Sequence, residues 1–202
     1  VDGQEKDGWL LSESYSTTGK EGSWNSPREI AFYPNVNFEG IGFRYNEKTR
    51  KVVLSAHYED QGGYTAAKIF LAQITPKGGI EIGTMERPLG HDSRDQSLFV
   101  DEDGTAYLLS ATHMNSDINI YRLDETWTKP VALANTICKG QHRETPSILK
   151  KDGTYYFFSS KASGWYPSQT MYASADRIDG KWSPLKEIGN NSTYGVQFNY
   201  VQ

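Results

Sequence analysis

The sequence holds one cysteine, Cys138, in 202 residues. An internal disulfide framework is therefore excluded, and no Cys/His spacing suggests a zinc site. Cys138 reads as a small residue packed in the interior. No run of about 18 apolar residues occurs, so nothing here reads as a membrane-spanning helix. Positive charge is in short supply as well. Lys and Arg number 21 against 25 Asp and Glu, the net charge is −4, and the basic residues form no stripe. Nucleic acid and membrane are therefore not expected partners. No Gly-x-Ser-x-Gly elbow or phosphate-binding glycine loop is present, and His91, His113 and His142 have no visible nucleophile partner. Asp101-Glu102-Asp103-Gly104 is too short for an acidic calcium loop and reads as a hairpin turn. No metal and no cofactor are expected.

Helix-forming stretches rich in alanine, leucine and glutamate are scarce too, whereas tyrosine (13) and glycine (19) are abundant. That balance favours short strands and turns. At 37% hydrophobic the chain can bury one good core, and all-β single domains commonly reach this size.

The strands announce themselves by recurrence. Glu144 heads an apolar run, Lys150-Lys151-Asp152-Gly153 turns, and Thr-Tyr-Tyr-Phe-Phe-Ser-Ser returns. Asp-Gly between two β-prone runs is a strong hairpin signal. Asp95 heads a similar unit that turns at Asp101–Gly104, and Glu39 another that turns at Asn46–Thr49. A second recurrence frames these three. Trp24-Asn-Ser-Pro-Arg-Glu-Ile and Trp182-Ser-Pro-Leu-Lys-Glu-Ile end on Ile30 and Ile188, 158 residues apart, or three steps of about 53. Gln197 lies nine residues after Ile188, as Glu39 lies nine after Ile30. The spacings Glu39–Asp95, Asp95–Glu144 and Glu144–Gln197 are 56, 49 and 53 residues.

A repeat near 50 residues with four strands each is the signature of a β-propeller. We read the outer half of one blade at 9–30, whole blades near 39–84, 95–137 and 144–189, and a new innermost strand beginning near 197. Counting the parts of blades predicts an all-β, five-bladed propeller, with about three whole blades and parts of two more in this chain. Residues 1–202 form a single domain in this reading, incomplete at both ends. Trp24, Trp127 and Trp182 recur near blade ends and read as interblade core. Residues 1–8 are polar and read as a frayed end. A chain starting at Val1 fits either removal of a signal peptide or a segment that starts late.

In a propeller the first strand of each blade lines the central channel. Glu39, Asp95, Glu144 and Gln197 share one register position, so the repeat places them around one channel mouth. Two converging carboxylates are the standard equipment of glycoside hydrolysis. Crowding and a dry environment raise a carboxyl pKa and keep one of them protonated as the acid. Sugar sites also use aromatic faces, and Trp165, in the irregular Ser163-Gly-Trp-Tyr-Pro167 segment, is placed on a loop where a ligand could meet it.

Ser93-Arg94-Asp95 followed by Leu-Phe-Val-Asp-Glu-Asp-Gly-Thr-Ala-Tyr-Leu, and Arg143-Glu144-Thr145-Pro146 followed by Asp-Gly-Thr-Tyr-Tyr, resemble two signatures of family 43 glycoside hydrolases. Ser163-Gly-Trp-Tyr-Pro167 and Thr193-Tyr-Gly-Val-Gln197 resemble the family's exo-β-1,3-galactanase subgroup, over roughly residues 36–201. That resemblance implies a five-bladed propeller and an inverting, exo-acting enzyme, secreted or periplasmic. Its substrate would be an oligo- or polysaccharide, from which it would release galactose. It implies Glu144 as general acid and Asp95 as the residue that tunes and orients it. Gln197 would position or activate the water, and Glu39, Arg94 and Trp165 would bind substrate. Accessory domains outside this segment are compatible with it. The aspartate base of the wider family would precede Val1, and the subgroup lacks that base. This chain departs from the subgroup at Glu39-Gly40-Ile41-Gly42, where Glu-Arg-Pro-Lys is usual, and at Gln197-Phe198-Asn199-Tyr200. The alternatives are another pentose- or hexose-releasing activity (arabinofuranosidase, xylosidase or galactofuranosidase), or a propeller that binds sugar without cleaving it.

Overall fold

The computed structural model describes residues 8–60 and 63–198. Its strands are β1 (Gly8–Glu13), β2 (Arg28–Pro34), β3 (Val36–Asn46), β4 (Lys51–Asp60), β5 (Lys68–Ile74), β6 (Ile80–Glu86), β7 (Gln96–Val100), β8 (Ala106–Thr112), β9 (Asp117–Leu123), β10 (Pro130–Ile137), β11 (Arg143–Lys151), β12 (Thr154–Lys161), β13 (Thr170–Ala175) and β14 (Lys186–Ile188). They form a two-stranded sheet, β1-β2, and three four-stranded sheets, β3-β4-β5-β6, β7-β8-β9-β10 and β11-β12-β13-β14. Every pairing is antiparallel between neighbours in sequence.

Local chemistry sets the turns. Asp152 and Gly153 both have positive φ, 50° and 76°, which is the two-residue hairpin geometry that matches strand twist and that Asp-Gly favours. Asp101–Gly104 turns with Gly104 at φ 83°. There Asp101 Oδ1 also accepts from Lys150 Nζ at 2.7 Å, so the turn is tied to the next sheet. Among the described residues no cluster of three or more His, Cys, Asp or Glu side chains is arranged to hold a metal ion.

Three apolar layers separate consecutive sheets. Phe38, Leu54, Tyr58 and Phe70 pack toward Leu11 and Tyr33 of the two-stranded sheet. Val53, Ile69 and Leu71 meet Leu98, Leu108, Tyr121 and Trp127. Leu109, Ile118, Ile120 and Ile137 meet Ile148, Tyr155, Phe157 and Ile178, with Cys138 and Trp182 against them. Alternation along each strand supplies both faces: Leu108 joins one layer and Leu109 the other. Burial raises the Cys138 thiol to about 12, as suits a residue that only packs. Trp127 and Trp182 lie in these layers as expected, but Trp24 is a correction, being 57% exposed. It lies in the β1–β2 connection, outside the strands, so no apolar layer covers it.

Hydrogen bonds join the first strands side by side. Gln96 Nε2 donates to the Gly40 carbonyl at 2.7 Å and Ser97 Oγ to the Pro146 carbonyl at 2.5 Å. Farther out, Thr84 Oγ1 donates to the Thr128 carbonyl at 2.6 Å. Next to it, Gly83 is the extra residue of a β-bulge, because Leu71 pairs with Thr84 and Ala72 with Ile82. A Cβ on Gly83 would collide with the Thr128 side chain and carbonyl. Gly83→Ala is therefore expected to destabilise the fold by about 1–3 kcal/mol through overpacking. Gly63→Ala, whose nearest contact would be Thr65 Oγ1 at 3.9 Å, serves as the near-neutral comparison. Denaturant unfolding of both variants measures it, and equal stability would show that the two sheets can shift apart freely.

Candidate active site

Antiparallel sheets that begin at one end of the molecule return to that end at every second strand. The start of each first strand therefore meets the loop between the second and third strands of the same sheet. Glu39 on β3, Asp95 just ahead of β7 and Glu144 on β11 come from the first set. Tyr64, Asn115 and Trp165 come from the β4–β5, β8–β9 and β12–β13 loops. These six, with His57, Arg94, Gly164 and Gln197, line one open cleft of about 270 Å³. All six residues singled out in the sequence are brought to it. Two placements differ from the expected innermost strands. Asp95 precedes its strand by one residue, and Gln197 lies in irregular backbone past a 3₁₀ turn at Thr193–Gly195. A strand beginning near 197 is not present at 197 or 198, and the rest of that expectation lies outside the described residues.

Irregular backbone aims the acids. β3 has a register shift between Glu39 and Gly42, and β11 has one between Glu144 and Ser147. The residue after each acid is left-handed, Gly40 at φ 59° and Thr145 at φ 51°. Such bulges re-aim side chains beside active sites. Gly40 is thus the bulge residue that glycine tolerates best. Below Glu144, the buried Arg143 guanidinium donates to the carbonyls of Ser159 (2.6 Å) and Gln169 (2.9 Å) and pins the strand. Asn115 ends three consecutive left-handed residues, His113, Met114 and Asn115. The Asp92 carboxylate holds that turn by accepting from the N–H groups of His113 (2.7 Å) and Met114 (2.9 Å).

The polar contacts converge. Asn115 Nδ2 donates to Glu144 Oε1 at 2.7 Å. Asp95 Oδ2 accepts from the Thr145 N–H at 3.0 Å, which couples it to the strand that carries Glu144. Glu39 Oε1 accepts from Tyr64 Oη at 2.5 Å and Asn37 Nδ2 at 3.0 Å. Arg94 donates to the Tyr64 carbonyl at 3.0 Å. Gln197 Nε2 donates to the Gly164 carbonyl at 3.0 Å, beside Trp165, which is 88% exposed.

Burial and then the neighbouring Asp95 charge raise the Glu144 carboxyl to about 7, against the Ser163 N–H, Arg94 and Asn115, which pull it down. Burial also raises Asp95, while the Thr145 N–H and His57 oppose that rise. Near neutral pH Glu144 is therefore protonated in an appreciable share of molecules, where an ordinary carboxyl would be ionised.

The sequence profile of glycosyl hydrolases family 43 matches residues 60–193. The chain belongs to that family. Among solved structures, it is similar to an exo-β-1,3-galactanase from Clostridium thermocellum, with 31% identity and a TM-score of 0.81 over 88% of this chain and 42% of that one. It is similar to an exo-β-1,3-galactanase from Phanerochaete chrysosporium solved with galactose, with 30% identity and a TM-score of 0.78 over 88% and 44%. A family 43 β-1,3-galactosidase matches at 34% identity and a TM-score of 0.74, over 83% and 36%. The chain thus spans less than half the length of these family members. No curated protein sequence matches it.

Sequence reasoning missed Tyr64, Asn115 and His57. A signal for two of them was present: Tyr64, Asn115 and Trp165 are spaced by 51 and 50 residues, the same step that relates the acids. His57, on the second strand of its sheet, left no such trace.

The proton on Glu144 has a stability consequence. Its carboxyl is raised from 4.5 to about 7, so between those values the folded state binds more protons than the unfolded chain. The stability this contributes is full below about 4.5 and is lost as pH rises through about 7. Glu144→Gln removes the charge at nearly constant shape. After discounting for solvent screening of a half-exposed group, the variant is expected to be more stable by about 1–2 kcal/mol at alkaline pH, with the gain vanishing in acid. Urea melts across the pH range measure it, and a gain independent of pH would mean that Glu144 is not raised.

Proposed function

We propose that this chain carries the central part of the catalytic domain of an inverting, exo-acting glycoside hydrolase. The proposed reaction releases galactose from a β-1,3-galactan-type polysaccharide. The observation that carries the reading is Glu144, a cleft carboxyl raised to about 7 with Asp95 beside it. Cleavage of a natural glycosidic bond expels a poor leaving group, and a carboxylic acid that stays protonated near neutral pH supplies the proton. In this reading Glu144 is the general acid and Asp95 tunes and orients it. Gln197, hydrogen-bonded to the Gly164 carbonyl beside Trp165, positions the water that attacks the anomeric carbon. Glu39 and Arg94 hold sugar hydroxyls, and Trp165 stacks on the sugar face. The similarity to exo-β-1,3-galactanases supports the choice of sugar and linkage. The three four-stranded sheets and the two-stranded one support a five-bladed propeller for the complete domain. A polymeric substrate places such an enzyme outside the cytoplasm, secreted or periplasmic, where accessory domains beside this segment would suit it.

The test is Glu144→Gln in the intact protein on two substrates. A positioned acid contributes about 10²–10⁴-fold, so activity on β-1,3-galactobiose should fall by about that factor. An aryl galactoside, whose phenolate leaves unaided, should lose much less. Equal losses on both would remove Glu144 from the acid role. Asp95→Asn takes away the like charge, so the alkaline limb of the pH profile should move to lower pH.

Trp165→Ala should weaken substrate binding by roughly 1–3 kcal/mol, on the scale of a buried aromatic contact, with little change in folding because the side chain is largely exposed in the free protein. Normal affinity with a much lower melting temperature would show that Trp165 is a structural anchor instead.

A further inference from the structure

Beneath the Glu39 wall lies a buried group that this reading does not use. His57 and Glu59 stand on one face of β4 and are 2% and 1% exposed. His57 Nε2 lies 2.7 Å from Glu59 Oε1, and Glu59 Oε2 accepts from the Ala67 N–H at 3.0 Å. Only the Ala67 N–H is a fixed donor to Glu59, and a hydrogen on Nε2 would give the second carboxylate oxygen its own donor. The other ring nitrogen, Nδ1, is 3.6 Å from Glu39 Oε2 and is buried without a hydrogen-bond partner.

A neutral ring with its hydrogen on Nε2 would aim the Nδ1 lone pair at the Glu39 carboxylate. A doubly protonated ring aims an N–H there instead. The charge count points the same way. The groups facing His57 are Glu59 on its own strand, Glu39 from β3, Tyr64 from the β4–β5 loop (ring centroids 6.1 Å apart) and Asp95 from ahead of β7. Arg94, over the Tyr64 ring at 5.8 Å, is the other cation. A neutral His57 would leave three carboxylates facing one guanidinium.

We propose that His57 is a buried imidazolium, charged by Glu59, that acts as the positioning residue for Glu39. The Tyr64 and Asn37 donors take Glu39 Oε1, and the His57 N–H directs Oε2. Glu39 is thereby held in one orientation, with its remaining lone pairs turned to the cleft as acceptors for substrate hydroxyls. The same charge favours the ionised form of Asp95. This deepens the hydrolase reading and rests on it for the identity of the substrate, but the protonation state of His57 does not.

Long-range ¹H–¹⁵N spectra of the intact protein, with His57→Gln to assign the signal, test the charge directly. At neutral pH both ring nitrogens of His57 should be protonated, and Glu39→Gln should lower the pH at which the ring loses a proton by about 1 unit. A single-proton tautomer at neutral pH, or no response to Glu39→Gln, overturns the proposal whether or not any glycoside is cleaved. Glu59→Gln keeps an acceptor for Nε2 but removes the charge that holds the ring cationic. It should raise Asp95 further and move the acid limb of kcat/KM up by about 1 unit. An unmoved limb in a folded Glu59→Gln protein whose His57 is neutral would overturn the positioning role. Imidazolium signals in a protein that hydrolyses no glycoside would overturn the hydrolase reading alone.

Discussion

Two like-charged carboxyls, Asp95 and Glu144, are forced into one cleft by separate sheets, and the chemistry available to this protein depends on that proximity. Left to themselves they would separate into water, since neither desolvation nor like charge favours them. The apolar layers between the sheets oppose that separation. Tyr121, Phe157, Leu108 and Ile120 are fully buried between strands, and each such side chain gains about 1.5–3 kcal/mol by leaving water. The Thr145 N–H on Asp95 then links the two acids through one short piece of backbone. The unfavourable electrostatics appear as a raised Glu144 carboxyl rather than as a disrupted fold.

Regular strands alone would not aim these groups. A pleated strand sends successive side chains to opposite faces. The bulges after Glu39 and Glu144 break that alternation where the cleft requires it, and the left-handed turn at His113–Asn115 does the same for a loop. Non-glycine residues in this conformation are strained. Asp92 holds the turn with two backbone N–H groups, and Arg143 holds the strand under Glu144 with two carbonyls. On the opposite wall, Glu39 is surrounded by Tyr64, Asn37 and His57, with Glu59 behind. The cleft is therefore asymmetric: burial and a second acid raise the carboxyl on one wall, and hydrogen-bond donors surround the carboxyl on the other.

Much of this was legible because propeller-like repetition writes itself at a fixed period. The step near 50 residues located three four-stranded sheets and the acid at the head of each, and Asp-Gly marked one hairpin to the residue. The same step misled at the margins. Trp24 matches Trp182 in sequence but lacks an apolar layer over it, and the register that points to Gln197 does not ensure a strand there. In the sequence Gly40 stands only within a departure from the galactanase subgroup, and the pairing register reveals it as the bulge residue that turns Glu39.

By itself the sequence determined the strand order, the turns and which residues share a register position. These follow from local conformational preference and a period along the chain, and both are one-dimensional. Tertiary structure alone decided that His57 lies between two carboxylates and that Asn115 reaches Glu144. It also decided which carboxyls burial lifts, Asp95 and Glu144 among them. Those outcomes depend on distances of a few ångströms between segments far apart in sequence. They depend equally on how much water each group has lost, and neither quantity is written in the identity or spacing of the residues.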